Sequence, residues 1–289
     1  MPITSPLPRK LRITPGAPDN MKPSVAADLE SWYRKFTGSE SNVHSFIKLD
    51  PVQFPRRYVK QADIEIAAFL AATIAWGRRD LIIRSAERMF ALMGENPADF
   101  VFSGNFRKLK NACVHRTFFE QDLKYFCVGF RYCYAKYGSL EKLFSCTPES
   151  IPGPAAGKRS GEGCPADTWD RIALFREEMA AANQGCYSKH IANANKGSAC
   201  KRINLALRWL VREGPVDLHL WKKMSPAALY IPLDVHVART ARRLGLLIRK
   251  SNDRKAVVEL TEKLRQFCPE DPVKYDFALF GIGMSAPVL

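Results

Sequence analysis

The stretches GSACKRINLALRWLVREG at residues 197–214 and IPLDVHVARTARRLG at residues 231–245 organise this chain. Apolar residues recur in both at the 3.6-residue period of an amphipathic helix. The first helix is expected to bury Ile203, Leu205 or Ala206, Leu207, Leu210 and Val211. The second begins after Asp234, an N-cap residue type, and ends at Gly245. These boundaries place Lys201 in the first turn of one helix and Asp234 at the mouth of the next.

The rest of the chain also follows helical periods, and no long alternating segment predicts a strand. Residues 64–76 are apolar almost all round, which indicates a central buried helix with Asp63 as its N-cap. Asp80 is expected to cap the next helix, and residues 42–60 to form an extended connection. Further helices are predicted at residues 24–36, 81–94, 97–106, 115–138, 140–145, 169–182, 251–267 and 273–283. The fold class is therefore all-α.

The 289 residues carry 44 Lys and Arg against 29 Asp and Glu, a formal charge of +15. Such an excess makes a polyanion the first partner to test. The N-terminus has no apolar segment of a secretory signal, and no stretch reaches the roughly 18 apolar residues of a membrane span. We expect a cytoplasmic protein associated with the nucleoid, or a nuclear protein in a eukaryote.

Eight cysteines lie scattered without a CxxC pair or a Cys/His group at zinc spacing. Reduced thiols, no metal centre and no cofactor are expected.

Lys201 and Asp234 have chemistry that suits an active site. Partial positive charge at a helix N-terminus disfavours an ammonium, and only the free amine is a nucleophile. An ionised carboxylate at Asp234 would stabilise positive charge that develops on a sugar, although an ordinary N-cap explains it equally well. The N–H groups of Gly197, Ser198 and Ala199 could bind a phosphate.

The motif GSACKRIN followed by IPLDVHVARTARRLG resembles the helix-hairpin-helix DNA glycosylase superfamily, in which a G-x-G-x-K-T-A-N hairpin leads to V-D-T-H-x-x-R. Residues 65–76 and the Gly77-Arg78-Arg79 corner that follows them also resemble the early core helix and substrate-facing turn of that fold. Within the superfamily, the chain looks most like the archaeal 8-oxoguanine glycosylase branch and a related bacterial family. Only Cys268 lies beyond Asp234, so the iron–sulfur cluster of another branch is excluded.

The resemblance implies two helical subdomains with the active-site cleft between them. A tail would cover residues 1–22, and an N-terminal helix and extended segment at 23–58 would pack on the C-terminal subdomain. A helical bundle would cover 59–204, with a flexible insertion at 147–168, and the C-terminal subdomain 205–289.

The resemblance also implies an activity: a base-excision glycosylase with AP lyase activity, in which Lys201 attacks C1′ of a flipped damaged nucleotide and Asp234 assists. The partner is damaged duplex DNA, bound by a monomer. The remaining implied site residues are, for DNA binding, Gly197, Ser198, Ala199, Arg78, Arg79 and Arg239, and, for the substrate pocket, Trp76, His236 and Trp221.

Two other functions stay open at this point. Ala199 replaces the second hairpin glycine, and Asn195 and Lys196 replace the usual Leu-Pro, which favours a non-catalytic DNA- or RNA-binding protein of the same fold. An enzyme acting on an anionic metabolite would use the same helix N-termini, but no phosphate-loop pattern accompanies them.

Overall fold

The computed structural model describes residues 22–145 and 167–285, and this part of the chain is mostly helical. The tail before Lys22 and nearly all of the predicted insertion lie outside these residues. The helices are α1 Lys22–Thr37, α2 Glu40–Leu49, α3 Gln61–Thr73, α4 Arg79–Met93, α5 Pro97–Ser103, α6 Glu120–Tyr137, α7 Leu140–Phe144, α8 Thr168–Ala182, α9 Lys201–Val211, α10 Val235–Arg243, α11 Arg254–Arg265 and α12 Tyr275–Ser285. Short 3₁₀ turns connect several of them.

A small antiparallel hairpin departs from the all-α expectation. Strand β1 (Cys113–His115) pairs with β2 (Phe118–Phe119) just before α6. Strands of three and two residues are too short to show an alternating pattern, and the period-two criterion therefore missed them.

Helix α3 is the centre of the core, as predicted: residues 63–73 are all buried. It packs against α5 and α9. At its middle lies Glu65, fully buried, whose carboxylate accepts hydrogen bonds from the Trp221 Nε1–H at 2.8 Å, from the Leu140 N–H at 2.9 Å and from the Tyr134 hydroxyl. A buried carboxylate is tolerated when donors surround it in this way, so Glu65 ties three segments to α3.

The predicted capping roles of two aspartates are wrong. The N-cap of α3 is Lys60, while Asp63 lies inside the first turn, where its carboxylate accepts the Ala98 N–H at 2.8 Å. Asp80 likewise lies inside α4, whose N-cap is Arg78. Both carboxylates stand in a first helical turn, where negative charge is favourable without a capping bond.

The extended connection expected at residues 42–60 is also wrong, because α2 occupies its first part and two 3₁₀ turns the rest. Ser39 caps α2 by accepting the Asn42 N–H. Val43, Phe46 and Ile47 share one face that packs on the core. The prolines that suggested extension initiate the 3₁₀ turns that follow the helix.

Helices α1, α10 and α12 form the layer that completes the site, with α12 in contact with both of the others. The buried apolar residues of this layer and those around α3 belong to one continuous cluster. The boundary expected between residues 204 and 205 falls inside α9. Within the residues described, no helix is both long and apolar enough to span a bilayer.

Candidate active site

Lys201 is the first residue of α9, as the sequence predicted. Cys200 before it adopts a left-handed backbone with φ of 47°, which turns the chain into the helix. The Lys201 Nζ lies 3.6 Å from the Asp234 Oδ2 and donates a hydrogen bond to the Ala75 carbonyl at 3.3 Å. Its side chain is 30% exposed and that of Asp234 25%. The two side chains are therefore close together. Both are partly exposed, so a ligand can reach them.

Asp234 divides its carboxylate between two tasks. Its Oδ1 accepts the His236 and Val237 N–H groups, each at 2.9 Å, and so caps α10. Its Oδ2 faces Lys201. The cap fixes the side-chain rotamer, so the second oxygen is held where the lysine needs it. Capping and chemistry are compatible in this geometry.

A cleft of about 1000 Å³ opens over this pair. Six residues predicted for the site line it: Trp76, Arg78, Arg79, Lys201, Asp234 and His236. The cleft runs from the corner between α3 and α4 across α9 to the N-termini of α10 and α12.

The cleft also contains charged residues that sequence reasoning missed. Asp276 on α12, Arg208 on α9 and Asp50 after α2 all line it. Burial raises the pKa of the Asp276 carboxyl to about 6, the Arg208 guanidinium opposes this rise, and the Asp234 carboxylate adds to it. Burial also raises the pKa of Asp50. The cleft that contains Lys201 is thus lined by several carboxylates rather than one.

Two features of the sequence point to Arg208 and Asp276. Arg208 follows Lys201 by seven positions, which places both on one face of α9. Asp276 is a lone charge in the apolar segment YDFALFGIG, and a charge in such a segment indicates a buried partner or a function. The partner is Arg208, which is 3% exposed and forms an ion pair with Asp276.

The Gly77-Arg78-Arg79 corner does not present two free cations. Arg78 makes two hydrogen bonds to the Asp80 carboxylate, at 3.0 and 3.1 Å. The guanidinium of Arg79 lies 4.9 Å from the ring centroid of Phe280. Arg239 is exposed on α10 but does not line the cleft.

Of the two tryptophans predicted for the substrate pocket, only Trp76 lines the cleft. Its ring stacks on His190 at 5.7 Å, and the Arg202 guanidinium lies over it. Trp221 is fully buried and donates to Glu65, so its predicted place in the pocket is wrong. A tryptophan has a large apolar surface to bury, and Trp221 buries it in the core rather than in the cleft.

The turn at residues 197–200, before α9, lies beside a second cavity of about 560 Å³. This cavity shares Trp76 and Lys201 with the cleft. Gly197, Ser198 and Ala199 line it. The Gly197 N–H donates to the Ala194 carbonyl at 3.1 Å, and the Ser198 N–H to the Asn193 carbonyl at 3.2 Å. Both N–H groups are therefore engaged within the turn, and the expectation that they could bind a phosphate is wrong for these two residues.

The described residues contain no group of three or more His, Cys, Asp or Glu side chains that could hold a metal ion.

Comparison with known proteins places most of the chain in one family. The family model described as "Protein of unknown function (DUF2400)" matches residues 50–285, which include the whole lining of the cleft apart from Phe46. No curated protein and no solved structure matches the chain.

Proposed function

We propose that this chain, which belongs to the DUF2400 family, is a base-excision DNA glycosylase with AP lyase activity. Lys201 is its nucleophile, Asp234 assists it, and damaged duplex DNA is the substrate, with 8-oxoguanine as the first lesion to test. The observation that carries the proposal is the 3.6 Å approach of the Lys201 Nζ to the Asp234 Oδ2 at the base of an open cleft.

The chemistry follows from the two groups. Asp234 accepts a proton from Lys201, and the free amine attacks C1′ of the flipped nucleotide. A bond forms between Nζ and C1′ while the glycosidic bond breaks, its electron pair leaves with the base, and Asp234 passes the proton that it accepted to that base through water. The carboxylate, ionised again by this transfer, stabilises the positive charge on the adduct of Lys201 and the sugar.

The lyase step continues from the same adduct. The sugar ring opens to a Schiff base between Lys201 and C1′. Loss of a proton from C2′ then breaks the bond from C3′ to its phosphate oxygen and nicks the strand. Each step uses only the lysine, the carboxylate and water.

Local geometry supports the resemblance on which the proposal rests. Gly197 and Cys200 both take left-handed backbone angles immediately before α9, and the lysine is the first helical residue. We assign the chain the arrangement of the helix-hairpin-helix glycosylases, with the cleft between two helical subdomains and a monomer as the active form. The charge of +15 favours DNA as the partner, in the nucleoid of a bacterium or the nucleus of a eukaryote.

Borohydride trapping tests the proposal directly, because it reduces the Schiff base to a stable bond. Duplexes carrying single damaged bases or an abasic site should give a covalent complex with wild-type protein. Lys201→Gln should abolish it. Lys196→Gln, an exposed lysine five residues earlier, should trap normally and serves as the matched control.

Two results would count against the proposal. Trapping that survives Lys201→Gln would assign the chemistry to another amine. Wild-type protein that binds DNA with a steep salt dependence, yet leaves every damaged and abasic duplex intact, would show a non-catalytic nucleic-acid-binding protein instead.

A further inference from the structure

Arg116 stands at the tip of the β1–β2 hairpin and lines the cleft. Its backbone is left-handed, with φ of 53°. This conformation is unfavourable for a residue with a side chain, and such residues concentrate at functional sites.

Gly77 makes room for the Arg116 side chain. A Cβ on Gly77 would lie 2.5 Å from the Arg116 Nη1, and the Gly77 φ of 97° also disfavours any side chain. The guanidinium therefore rests directly on the bare backbone of the corner between α3 and α4.

His115 anchors the hairpin to that corner. It is 2% exposed. Its Nε2–H donates to the Trp76 carbonyl at 2.9 Å, and its Nδ1 accepts from the Ser85 hydroxyl at 3.0 Å. Arg88 adds a hydrogen bond to the Val114 carbonyl. The arginine is thus carried on a fixed element and not on a loose loop.

Arg116 differs from the other arginines and from the lysine that line the cleft, each of which has an anionic or an aromatic partner. Arg78 pairs with Asp80, Lys201 with Asp234, and Arg208 with Asp217 and Asp276. The Arg79 guanidinium packs against aromatic rings. Within residues 22–145 and 167–285, no hydrogen bond or ion pair engages the Arg116 guanidinium, and the residue is exposed.

Its distance from the lysine suits one kind of ligand. Lys201 donates to the Ala75 carbonyl. Gly77 follows Ala75 by two residues, so the Cα atoms of these two residues are at most roughly 7 Å apart. Each strand of DNA carries one phosphate per about 3.4 Å of helix axis. A guanidinium on Gly77 therefore reaches a phosphate beside the nucleotide whose sugar faces Lys201.

We propose that Arg116 binds the backbone phosphate next to the flipped nucleotide, through a guanidinium that Gly77 and the hairpin hold at the mouth of the cleft. This inference rests on the proposed function, since it takes DNA as the ligand. An arginine fork matches phosphate oxygens in pairs, and the contact offsets the carboxylates of Asp50, Asp234 and Asp276 that line the same cleft.

The test is the salt dependence of binding to a duplex that carries a tetrahydrofuran abasic analogue, which lacks both a base to excise and the group that forms a Schiff base. Loss of one phosphate contact should reduce the slope of log K against log salt by about 0.9. Arg116→Asn should show this reduction and severalfold weaker binding at low salt. Asparagine tolerates the left-handed backbone better than most residues, so the fold is preserved. Arg116→Lys should keep the slope.

Arg107 provides the matched control. It is exposed, its guanidinium also lies beside a left-handed glycine, Gly104, and it does not line the cleft. Arg107→Asn should leave the slope at the wild-type value. A slope unchanged by Arg116→Asn, or reduced equally by Arg107→Asn, would overturn the assignment.

Gly77→Ala tests the geometry separately, because the added methyl displaces the guanidinium. It should reduce the slope in the wild-type background and have no further effect on it in the Arg116→Asn background. Independent effects of the two substitutions on the slope would contradict the assignment.

The two proposals fail in different ways. If borohydride trapping succeeds and the Arg116→Asn slope is unchanged, the phosphate contact is wrong and the glycosylase proposal stands. If the wild-type protein does not bind the analogue duplex and traps nothing, both are overturned.

Discussion

At the residue scale, the candidate site depends on how Asp234 shares its two oxygens. One caps α10 and the other faces the lysine. A residue that only capped the helix would not need the second oxygen, whereas a residue that assists Lys201 needs both the oxygen and its charge.

Asp234→Asn separates these roles. Asparagine caps helices about as well as aspartate, so the melting temperature should hardly change. DNA affinity should stay near the wild-type value, while the single-turnover rate should fall at least tenfold because the charge is lost. Wild-type turnover combined with a lower melting temperature would leave Asp234 with a capping role alone.

Asp276 is the second residue whose charge matters here, because burial raises its pKa to about 6 from an ordinary value of 3.8. Between those two pH values the folded state keeps a proton that the unfolded state loses. The free energy of unfolding therefore falls as pH rises between these two values. The full destabilisation by this carboxyl is present above pH 6.

Asp276→Asn should remove this dependence. The stability of the wild type relative to the variant should fall by up to about 3 kcal/mol between pH 4 and pH 7, measured by urea unfolding at several pH values. The stability of the wild type relative to Asp80→Asn should instead rise with pH, because the hydrogen bond from Arg78 lowers the pKa of Asp80. Parallel curves for wild type and Asp276→Asn would contradict the expectation.

At the scale of elements, the packing of α10 on α12 brings Asp234 and Asp276 together. Gly283 allows that packing, since a Cβ there would lie 2.7 Å from the Thr240 Oγ1 on α10. Thr240 is buried, so it has little room to move. The absent side chain therefore sets the separation of the two helices.

Gly283→Ala should destabilise the protein by about 1–3 kcal/mol through overpacking, less the helix preference of alanine. Adding Thr240→Ala should recover part of the loss, which denaturant unfolding of the double-mutant cycle measures. Gly281→Ala is the control in the same helix, because its Cβ would make an ordinary 3.4 Å contact with the Trp32 ring. Equal losses at both glycines would show that the contact with Thr240 is not responsible.

At the scale of the whole molecule, a buried ionic network ties distant segments to α9. Arg212 bonds to Asp217 at 2.8 Å, to Asp271 at 2.8 Å and to the Tyr33 hydroxyl at 2.6 Å. Arg208 bonds to the same Asp217. The network joins α1, α9 and the turn before α12, and it ends at Asp276 in the cleft.

Arg212→Ala should lower the free energy of unfolding by about 3–5 kcal/mol, because it leaves buried carboxylates without their cation. The free energy from urea unfolding measures the loss. Arg34→Ala removes an arginine that is 78% exposed and paired with Glu30, and it should cost less than about 1 kcal/mol. Similar losses for the two variants would show that the network contributes no more than a surface pair.

Much of the fold and the centre of the site were predictable from the sequence. The buried helix α3, the start of α9 at Lys201 and the cap of α10 at Asp234 follow from periodicity and from hydrogen bonds within one turn. The sequence does not predict helix α2, because prolines such as those near its end are typical of an extended chain. The hairpin was missed because its strands are too short to show a period.

The sequence by itself therefore determined most of the helices, the cap of α10 and the two residues that begin α9 and precede α10, since these depend on neighbours a few residues away. Only the tertiary structure decided which side chains share the cleft. Trp221 is drawn into the core by Glu65, 156 residues earlier in the chain. Packing between separate elements places Arg116 against Gly77, and it places Asp276 in the same cleft as Lys201. Such placements depend on which surfaces meet, and no local pattern of residues encodes them.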